Sequence, residues 1–404
     1  MGTDKKRRQY GTGGLSQRTS DGMWIGKIQA GWTPQGKRRV ITVSAKTKPA
    51  AKKKLDDKLR DIARDGLPTA GVNGRATVES WSKVWLPMHE RKVRPSTYTT
   101  DAGTVRKWIN PTIGNVRLAD LTPGHLRKLR DAITDAGRSS TTALHSHKIL
   151  LIMLKAAVVE GHRVPDRIFK VPKPSKASND RDAIPLPDAI TLLQAISDRP
   201  DAARWVAALL QGMRQGECLG LTWSRVDLDN HLIDVSWQLQ RLPYKDRAAE
   251  TFRVPDGFEA TPLPGAGAAH LTRPKTQAGR RVIPLVPWMV RALTDARERW
   301  LPNPWDLVWC DELKTKQRPC VPSVDLTAWH DVQKAAGIGH PAGRPYHLHE
   351  ARHTTASLLA AAGVDRSVIE RILGQAVLVD AYLHTDLSQV RDAMNLISAR
   401  LQLT

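Results

Sequence analysis

The chain has 404 residues and a formal net charge of +22, from 62 Lys and Arg against 40 Asp and Glu. Its 41% hydrophobic and 25% charged residues are the balance of a globular protein, which argues against wholesale disorder. Three widely spaced cysteines argue against a disulfide scaffold and a zinc site, and no run approaches the roughly 18–20 apolar residues of a membrane span.

Positive charge is concentrated in the N-terminal part of the chain. Residues 1–175 hold 35 basic and 14 acidic side chains, whereas residues 176–404 are close to neutral. This segregation predicts a module that binds DNA or RNA, joined to a second globular module. A merely solubilising basic surface is the alternative. The basic N-terminus has no apolar stretch behind it, so we expect no secretory signal and a cytoplasmic protein.

Residues 1–66 combine short β segments with one helix. Asp21 and Gly22 are a hairpin-turn signal between two segments of β character, and a third strand precedes a helix predicted over 49–65. We therefore predict a three-stranded sheet with one helix. A sheet of this size can place its strands in a DNA groove.

Residues 77–170 follow helical periodicity and are basic. Thr77 is a candidate N-cap for the first helix of this region. The Pro- and Gly-containing stretch 67–76 and the Pro- and Lys-rich stretch 171–183 are predicted linkers. Further helices are predicted at 95–108, 123–136 and 141–160.

Residues 184–404 have a mixed pattern. Strands are predicted over 228–239 and 280–286, and the chain after Asp325 is predicted to be mainly helical. Two earlier helices are predicted at 187–197 and 201–213. The fold class predicted for the whole chain is multidomain α+β: a small N-terminal three-stranded sheet plus helix, a helical middle domain, and a mostly helical C-terminal domain with a small antiparallel sheet.

Four short segments of the C-terminal region carry basic, histidine or tyrosine residues in a recognisable order. They are Gly-Met-Arg214-Gln-Gly-Glu217, Pro-Lys275-Thr-Gln-Ala-Gly-Arg-Arg, His349-Glu-Ala-Arg352-His-Thr and Ala-Tyr382-Leu-His. In this order they resemble the signature boxes of the tyrosine recombinases, the phage-type integrases. By the same resemblance, residues 184–404 are a catalytic domain, residues 77–170 a helical core-binding domain and residues 1–66 an arm-type DNA-binding domain.

The resemblance implies a role for each of these side chains. Arg214 and Arg352 would clamp the scissile phosphate. Tyr382 would attack it and remain linked to the 3′-phosphate, and Lys275 would protonate the leaving 5′-oxygen. His349, one helical turn before Arg352, would accept a proton or bind the phosphate.

This chemistry suits those residue types. A tyrosyl phosphoester conserves the energy of the broken phosphodiester, and guanidiniums grip phosphate oxygens in pairs while staying charged. An ammonium among other cations is a suitable proton donor. Glu217, three residues after Arg214, is expected to brace either Arg214 or the second box that contains Arg352. The scheme needs no metal and no cofactor, and His347, His349 and His353 lack the carboxylate or cysteine pattern of a metal site.

Two departures from the family pattern precede the nucleophile. Gln375 stands where the family has His or Trp, and an amide can donate a hydrogen bond to a phosphate but cannot transfer a proton. The connection from Gln375 to Tyr382 is also about two residues shorter than usual, enough to displace the phenol by several ångströms. We expect Gln375 to act as a phosphate ligand in this site.

The resemblance implies double-stranded DNA as the partner, bound at core sites and at arm sites by a homotetramer, with an accessory DNA-bending or excision factor as an optional further partner and no membrane. The implied function is integration or excision of a mobile element by a nucleoid-associated cytoplasmic enzyme. Two alternatives stay open at this stage. One is a non-catalytic DNA-binding relic, because of Gln375 and the short connection, and the other is a topoisomerase-like nicking and closing enzyme.

Overall fold

The computed structural model describes residues 14–32, 38–65, 75–177, 182–313, 316–375 and 387–400. Over these residues the chain is mixed α+β, as the sequence predicted. It divides into two compact units, one formed by Met1–His89 with Thr100–Ala177 and the other by Glu90–Thr99 with Ser178–Thr404. The finer domain boundaries inferred from the sequence stay a prediction.

The predicted N-terminal sheet and helix are confirmed as β1 (Gly14–Gln17), β2 (Trp24–Trp32), β3 (Arg38–Ala45) and α1 (Lys48–Asp65). The strands are antiparallel in the order β1-β2-β3. Helix α1 lies close against the middle strand, since a Cβ added at Gly26 would lie 2.8 Å from Val43 Cγ2 and 3.0 Å from Leu55 Cδ1. The absence of a side chain at Gly26 is what permits this close packing.

The helical middle region is also confirmed, and Thr77 Oγ1 accepts a hydrogen bond from the Ser80 N–H (3.1 Å) at its first helix. The helix predicted over 95–108 instead ends at Thr104 and continues as a π-helical turn, Val105–Ile109. Pro111 causes this change because it has no N–H to donate to the carbonyl four residues earlier. The helices are α2 (Val78–Glu90), α3 (Pro95–Thr104), α4 (Asn110–Ile113), α5 (Pro123–Asp135) and α6 (Ser140–Val159).

Helix α6 bears on the expectation that no segment of the chain spans a membrane. Among the described residues it is the one helix long and apolar enough, by length and composition, to cross a membrane. Its residues Leu150, Met153 and Leu154 are fully buried in the apolar core of the helical region, and Trp81 Nε1 donates to the Met153 carbonyl (2.8 Å). A helix that is apolar on most of its surface can also be the buried core helix of a globular domain, and α6 is packed in that way here.

The second unit is built around one large apolar core. Four apolar residues of its last helix belong to that core: Val390, Ala393, Met394 and Ile397. This helix therefore packs against the unit that it belongs to. The mainly helical character predicted after Asp325 is confirmed. The helices are α7 (Leu186–Ile196), α8 (Ala202–Leu209), α9 (Gln215–Leu219), α10 (Pro287–Glu298), α11 (Pro322–Ala335), α12 (Leu348–Ala361), α13 (Arg366–Leu373) and α14 (Leu387–Arg400).

The strands of the second unit are short: β4 (Val226–Asp227), β5 (Leu232–Asp234), β6 (Gln238–Arg241), β7 (Tyr244–Asp246), β8 (Thr251–Phe252), β9 (Ala260–Pro262), β10 (Ala269–Thr272), β11 (Val282–Pro284), β12 (Cys310–Leu313) and β13 (Lys316–Pro319). They form two three-stranded sheets, β11-β5-β4 and β6-β10-β9, and two hairpins, β7-β8 and β12-β13. The small sheet expected from the sequence is thus divided.

The prediction of a single strand over 228–239 is wrong, because this part of the chain forms two strands. It is split into β5 and β6, which pair with β11 and β10 respectively. Between them the Asp234 carboxylate accepts a hydrogen bond from the Ser236 N–H (2.8 Å). This local side-chain bond competes with strand pairing and turns the chain from one sheet to the other.

All three cysteines are free thiols. Burial raises the pKa of Cys218 and of Cys310 to about 12. Burial also raises the pKa of Cys320, with the carboxylate of Asp311 adding to the effect. The three thiols are therefore protonated at neutral pH, and thiols react as nucleophiles only after losing that proton.

Candidate active site

Arg214 is held by a carboxylate three residues further on. It is the N-cap residue of α9, and its backbone N–H donates to Glu217 Oε2 (2.9 Å) while its Nη1 donates to Glu217 Oε1 (2.7 Å). Glu217 is only 1% exposed. The brace expected from the sequence is therefore present, and it fixes the guanidinium from both the main chain and the side chain.

Arg281 enters the same cluster, although the sequence did not mark it as a site residue. It directly precedes β11 and is buried, and its Nη1 and Nη2 donate to the two oxygens of Glu217 (3.1 and 3.0 Å). Its Nε donates to the Ile372 carbonyl (2.6 Å). The signal that could have found it is a basic residue directly before a short apolar strand, because a charge that becomes buried there needs a partner.

Arg352 completes the cluster from helix α12. It is 3% exposed and donates to the carbonyls of Gly212 and Leu373, and its Nη1 lies 4.0 Å from Glu217 Oε2. Burial, to which the charges of Arg214 and Arg281 add, lowers the pKa of Arg352 to about 9. The guanidinium therefore stays protonated at neutral pH.

Three guanidiniums meet the end of one helix. The carbonyls of Ile372, Leu373 and Gly374, at the C-terminus of α13, accept hydrogen bonds from Arg281, Arg352 and Arg214 respectively, the last at 3.1 Å. The last carbonyls of a helix have no partners within the helix and carry its partial negative charge, so cations stabilise them. The arrangement fixes the chain immediately before Gln375.

Two glycines make room for these contacts. Gly212 and Gly374 both have φ +58°, in the left-handed region. A Cβ at Gly212 would lie 2.6 Å from Leu373 Cδ2, and one at Gly374 would lie 2.8 Å from both the Ala278 carbonyl oxygen and Arg281 Nη1. A side chain at either position would thus strain the backbone. At Gly374 it would also push into the arginine cluster, and at Gly212 it would push against Leu373 and Thr355.

The cluster of Arg214, Glu217, Arg281 and Arg352 carries three positive charges against one negative charge. Burial alone would raise the pKa of Glu217, but the charge and hydrogen bonds of Arg281, and then those of Arg214, lower it on balance. Glu217 is therefore ionised at neutral pH and still leaves a net charge of +2. A partly exposed site of this charge suits a phosphate group.

Three other predicted site residues, Lys275, His349 and Gln375, are exposed and are not part of the buried arginine cluster. Lys275 is exposed in the loop between β10 and β11, the loop that also contains Arg281. His349 is exposed in the first turn of α12, with its ring 4.8 Å from that of His353. Gln375 is exposed, and its N–H donates to the Glu370 carbonyl (2.9 Å) at the end of α13.

Tyr382 and the connection 376–386 lie outside the described residues. The structure thus brings Arg214 and Arg352 together around Glu217. That the Tyr382 phenol lies near these two arginines stays a prediction. Over the described part of the chain, no group of three or more His, Cys, Asp or Glu side chains is arranged to hold a metal ion.

Comparison with known proteins agrees with this geometry. The profile of the phage integrase family matches residues 188–387, and that of the phage integrase N-terminal SAM-like domain matches residues 77–133. The chain belongs to the phage integrase family of tyrosine recombinases. The two matches together cover more than half of it, and the matched catalytic region contains the whole arginine cluster.

Relatives of this integrase-family chain cover most of its length. An integrase of Saccharopolyspora erythraea is 24% identical over 90% of this chain and 91% of its own length. The Tn1549 transposon integrase, solved in complex with transposon right end DNA, is 18% identical with a TM-score of 0.58, over 81% of this chain and 98% of that one. The lambda integrase dimer bound to a core site is 16% identical with a TM-score of 0.53, over 96% and 97%. These solved structures show that the fold is shared.

Proposed function

We propose that the protein is a site-specific DNA recombinase that cleaves and rejoins DNA strands through a covalent 3′-phosphotyrosine, integrating or excising a mobile element. The observation that carries the proposal is the cluster in which Arg214 and Arg352 share one buried carboxylate and a net charge of +2. Two guanidiniums fixed in advance around a site for an anion are what transfer of a phosphoryl group requires.

In the proposed reaction, Arg214 and Arg352 bind the non-bridging oxygens of the scissile phosphate. The Tyr382 oxygen attacks phosphorus, so that an O–P bond to the tyrosine forms while the bond to the 5′-oxygen breaks. The phenolic proton passes to His349 and Lys275 supplies a proton to the leaving 5′-oxygen. Attack by another 5′-hydroxyl reverses these steps and rejoins the strand.

The proposed partner is double-stranded DNA. Most of the net charge lies in residues 1–175, which contain the three-stranded sheet and the helical region, and lambda integrase has been solved as a tetramer on a Holliday junction. We therefore propose that a homotetramer binds core and arm sites at the nucleoid, with steep salt dependence from phosphate contacts. An accessory DNA-bending or excision factor is compatible with this scheme.

A nicked suicide duplex tests the proposal. The duplex carries the attachment site of the element that encodes the chain, and the nick lets the short 5′-hydroxyl product diffuse away, so that a covalent protein–DNA adduct accumulates. We expect an adduct that is lost in Tyr382→Phe and in Arg352→Lys. An adduct that persists in Tyr382→Phe would contradict the assignment of the nucleophile.

The same assay separates the alternatives. Absence of any adduct, with normal binding to the duplex, would favour a DNA-binding relic, as expected if Gln375 and the short connection prevent cleavage. Adduct formation on duplexes of unrelated sequence would favour a topoisomerase-like enzyme. A faster reaction in Gln375→His would show that the amide limits the rate.

A further inference from the structure

The exposed loop that carries Lys275 is closed at its base by a single carboxylate. Glu259 precedes β9, in the segment between β6 and β10. Its Oε2 accepts a hydrogen bond from Arg273 Nε (3.0 Å) and its Oε1 accepts one from Arg280 Nη2 (2.7 Å). Arg273 stands two residues before Lys275 and Arg280 five residues after it. One side chain therefore ties together the two ends of the loop.

The first end of the loop has further supports. The Arg273 guanidinium lies over the Trp237 ring, 4.0 Å from its centroid, and the Arg273 N–H donates to the Glu259 carbonyl (3.4 Å). Arg94 donates to the carbonyls of Arg273 (3.3 Å) and Pro274 (2.7 Å). Arg94 lies in the segment Glu90–Thr99, which belongs to the same compact unit.

The loop is also tight where its two ends meet. A Cβ added at Gly279 would lie 2.5 Å from Pro274 Cβ, so the two residues are in close contact across the loop. Four cations, Arg273, Lys275, Arg280 and Arg281, lie within nine residues here, and their mutual repulsion favours opening. Glu259 opposes that repulsion, and the hydrogen bonds from Arg273 and then Arg280 lower the pKa of its carboxyl.

We propose that Glu259 is a positioning residue for the Lys275 loop. By bridging Arg273 and Arg280 it keeps the loop closed, so that the Lys275 ammonium stays within reach of the leaving 5′-oxygen. This inference rests on the proposed function, in which Lys275 gives a proton to that oxygen. The rival explanation is a surface ion-pair network that contributes only to folding or to the affinity for DNA.

A change of leaving atom separates these explanations. The suicide duplex is made in two forms, with the ordinary 5′-oxygen or with a bridging sulfur at the scissile phosphate, because a thiolate leaves without being protonated. Single-turnover cleavage is measured at saturating protein. We expect Glu259→Gln to slow cleavage of the oxygen substrate about 10- to 100-fold, since small displacements of an acid cost rates of this order. Cleavage of the sulfur substrate should change less than about twofold.

Two further variants make the result decisive. Glu298→Gln removes an exposed carboxylate at the end of α10 and should leave both rates unchanged. Lys275→Ala tests the proposed function itself, and it should slow only the oxygen substrate. Circular dichroism and melting curves confirm that each variant is folded.

The outcomes separate the two proposals. If Lys275→Ala slows both substrates equally, or neither, then the role of Lys275 as the acid fails and the role of Glu259 fails with it. If Lys275→Ala is rescued by sulfur but Glu259→Gln slows both substrates alike, or slows neither, then the acid stands and the positioning role of Glu259 is wrong.

Discussion

Two carboxylates of this chain each bridge two arginines, one in the buried interior and the other at the surface. Glu217 joins Arg214 and Arg281 inside the cluster and is 1% exposed, whereas Glu259 joins Arg273 and Arg280 at the surface with 49% of its side chain exposed. In the interior, charges interact strongly and are costly to leave unpaired. At the surface, water and salt weaken the same interaction. The buried bridge thus fixes Arg214 and Arg281 within the cluster, and the exposed one ties together the two ends of the Lys275 loop.

The largest expected effect comes from breaking the buried bridge. Glu217→Gln would leave Arg281 and Arg352 in the interior without a counter-charge. We expect it to lower the free energy of unfolding by about 3–5 kcal/mol, as measured by urea denaturation. The matched variant is Glu259→Gln, which should change that free energy far less. Equal losses in the two variants would contradict the contrast between the sites.

The second effect concerns the glycine that ends α13. Gly374→Ala places a Cβ against the Ala278 carbonyl and Arg281, and we expect a loss of about 2–4 kcal/mol in unfolding free energy, from backbone strain plus this clash. Gly363→Ala is the control, because Gly363 also has a positive φ but a Cβ there meets no atom within 4 Å. That variant should lose only about 1 kcal/mol. Similar losses in both would mean that the cluster tolerates the methyl group.

A third prediction uses pH. The pKa of Glu217 is lowered in the folded protein, so its contribution to stability is present above the carboxyl pKa of the unfolded chain and is lost as the pH falls through the folded value. The difference in unfolding free energy between the unmodified protein and Glu217→Gln should therefore shrink below about pH 4. Denaturation curves at pH 7, 5, 4 and 3 measure it. A difference independent of pH would mean that the carboxylate is not the source of the effect.

The smallest effect is expected at the surface bridge. Any change in melting temperature caused by Glu259→Gln at low ionic strength should disappear in 1 M NaCl, because the Debye length then falls to about 3 Å. The loss caused by Glu217→Gln should persist in the same buffer. A salt-insensitive loss in Glu259→Gln would show that Glu259 is less exposed to solvent ions than its side-chain surface indicates.

Much of the site could be predicted because its signals are local. Arg214 and Glu217 are three residues apart at the N-terminus of α9, and His349 and Arg352 are three residues apart in α12. Each pair therefore falls within one short sequence motif. Arg281 lies in the segment that carries Lys275, but that motif does not show what Arg281 binds, because its partners Glu217 and Ile372 are 64 and 91 residues distant in sequence. Glu259 likewise lies outside the four motifs, in the segment between β6 and β10.

The errors in the fold have similar causes. Apolar and polar residues alternate over 228–239 as they do in a strand. The alternation cannot show that the Asp234 carboxylate accepts a hydrogen bond from the Ser236 N–H. Nor can it show that the two halves of the segment pair with different strands. The π-helical turn at Val105–Ile109 follows from Pro111, which helical periodicity alone does not take into account. The position of Tyr382 stays a prediction.

The protonated state of the three thiols has a practical use. Since a maleimide reacts with thiolates, Cys218, Cys310 and Cys320 should label slowly at pH 7. A cysteine introduced at the exposed Ala278 would then be the preferred attachment point for a fluorophore in an otherwise unmodified chain. The emission of that fluorophore would report, in solution, whether the segment between β10 and β11 changes its environment as DNA is added.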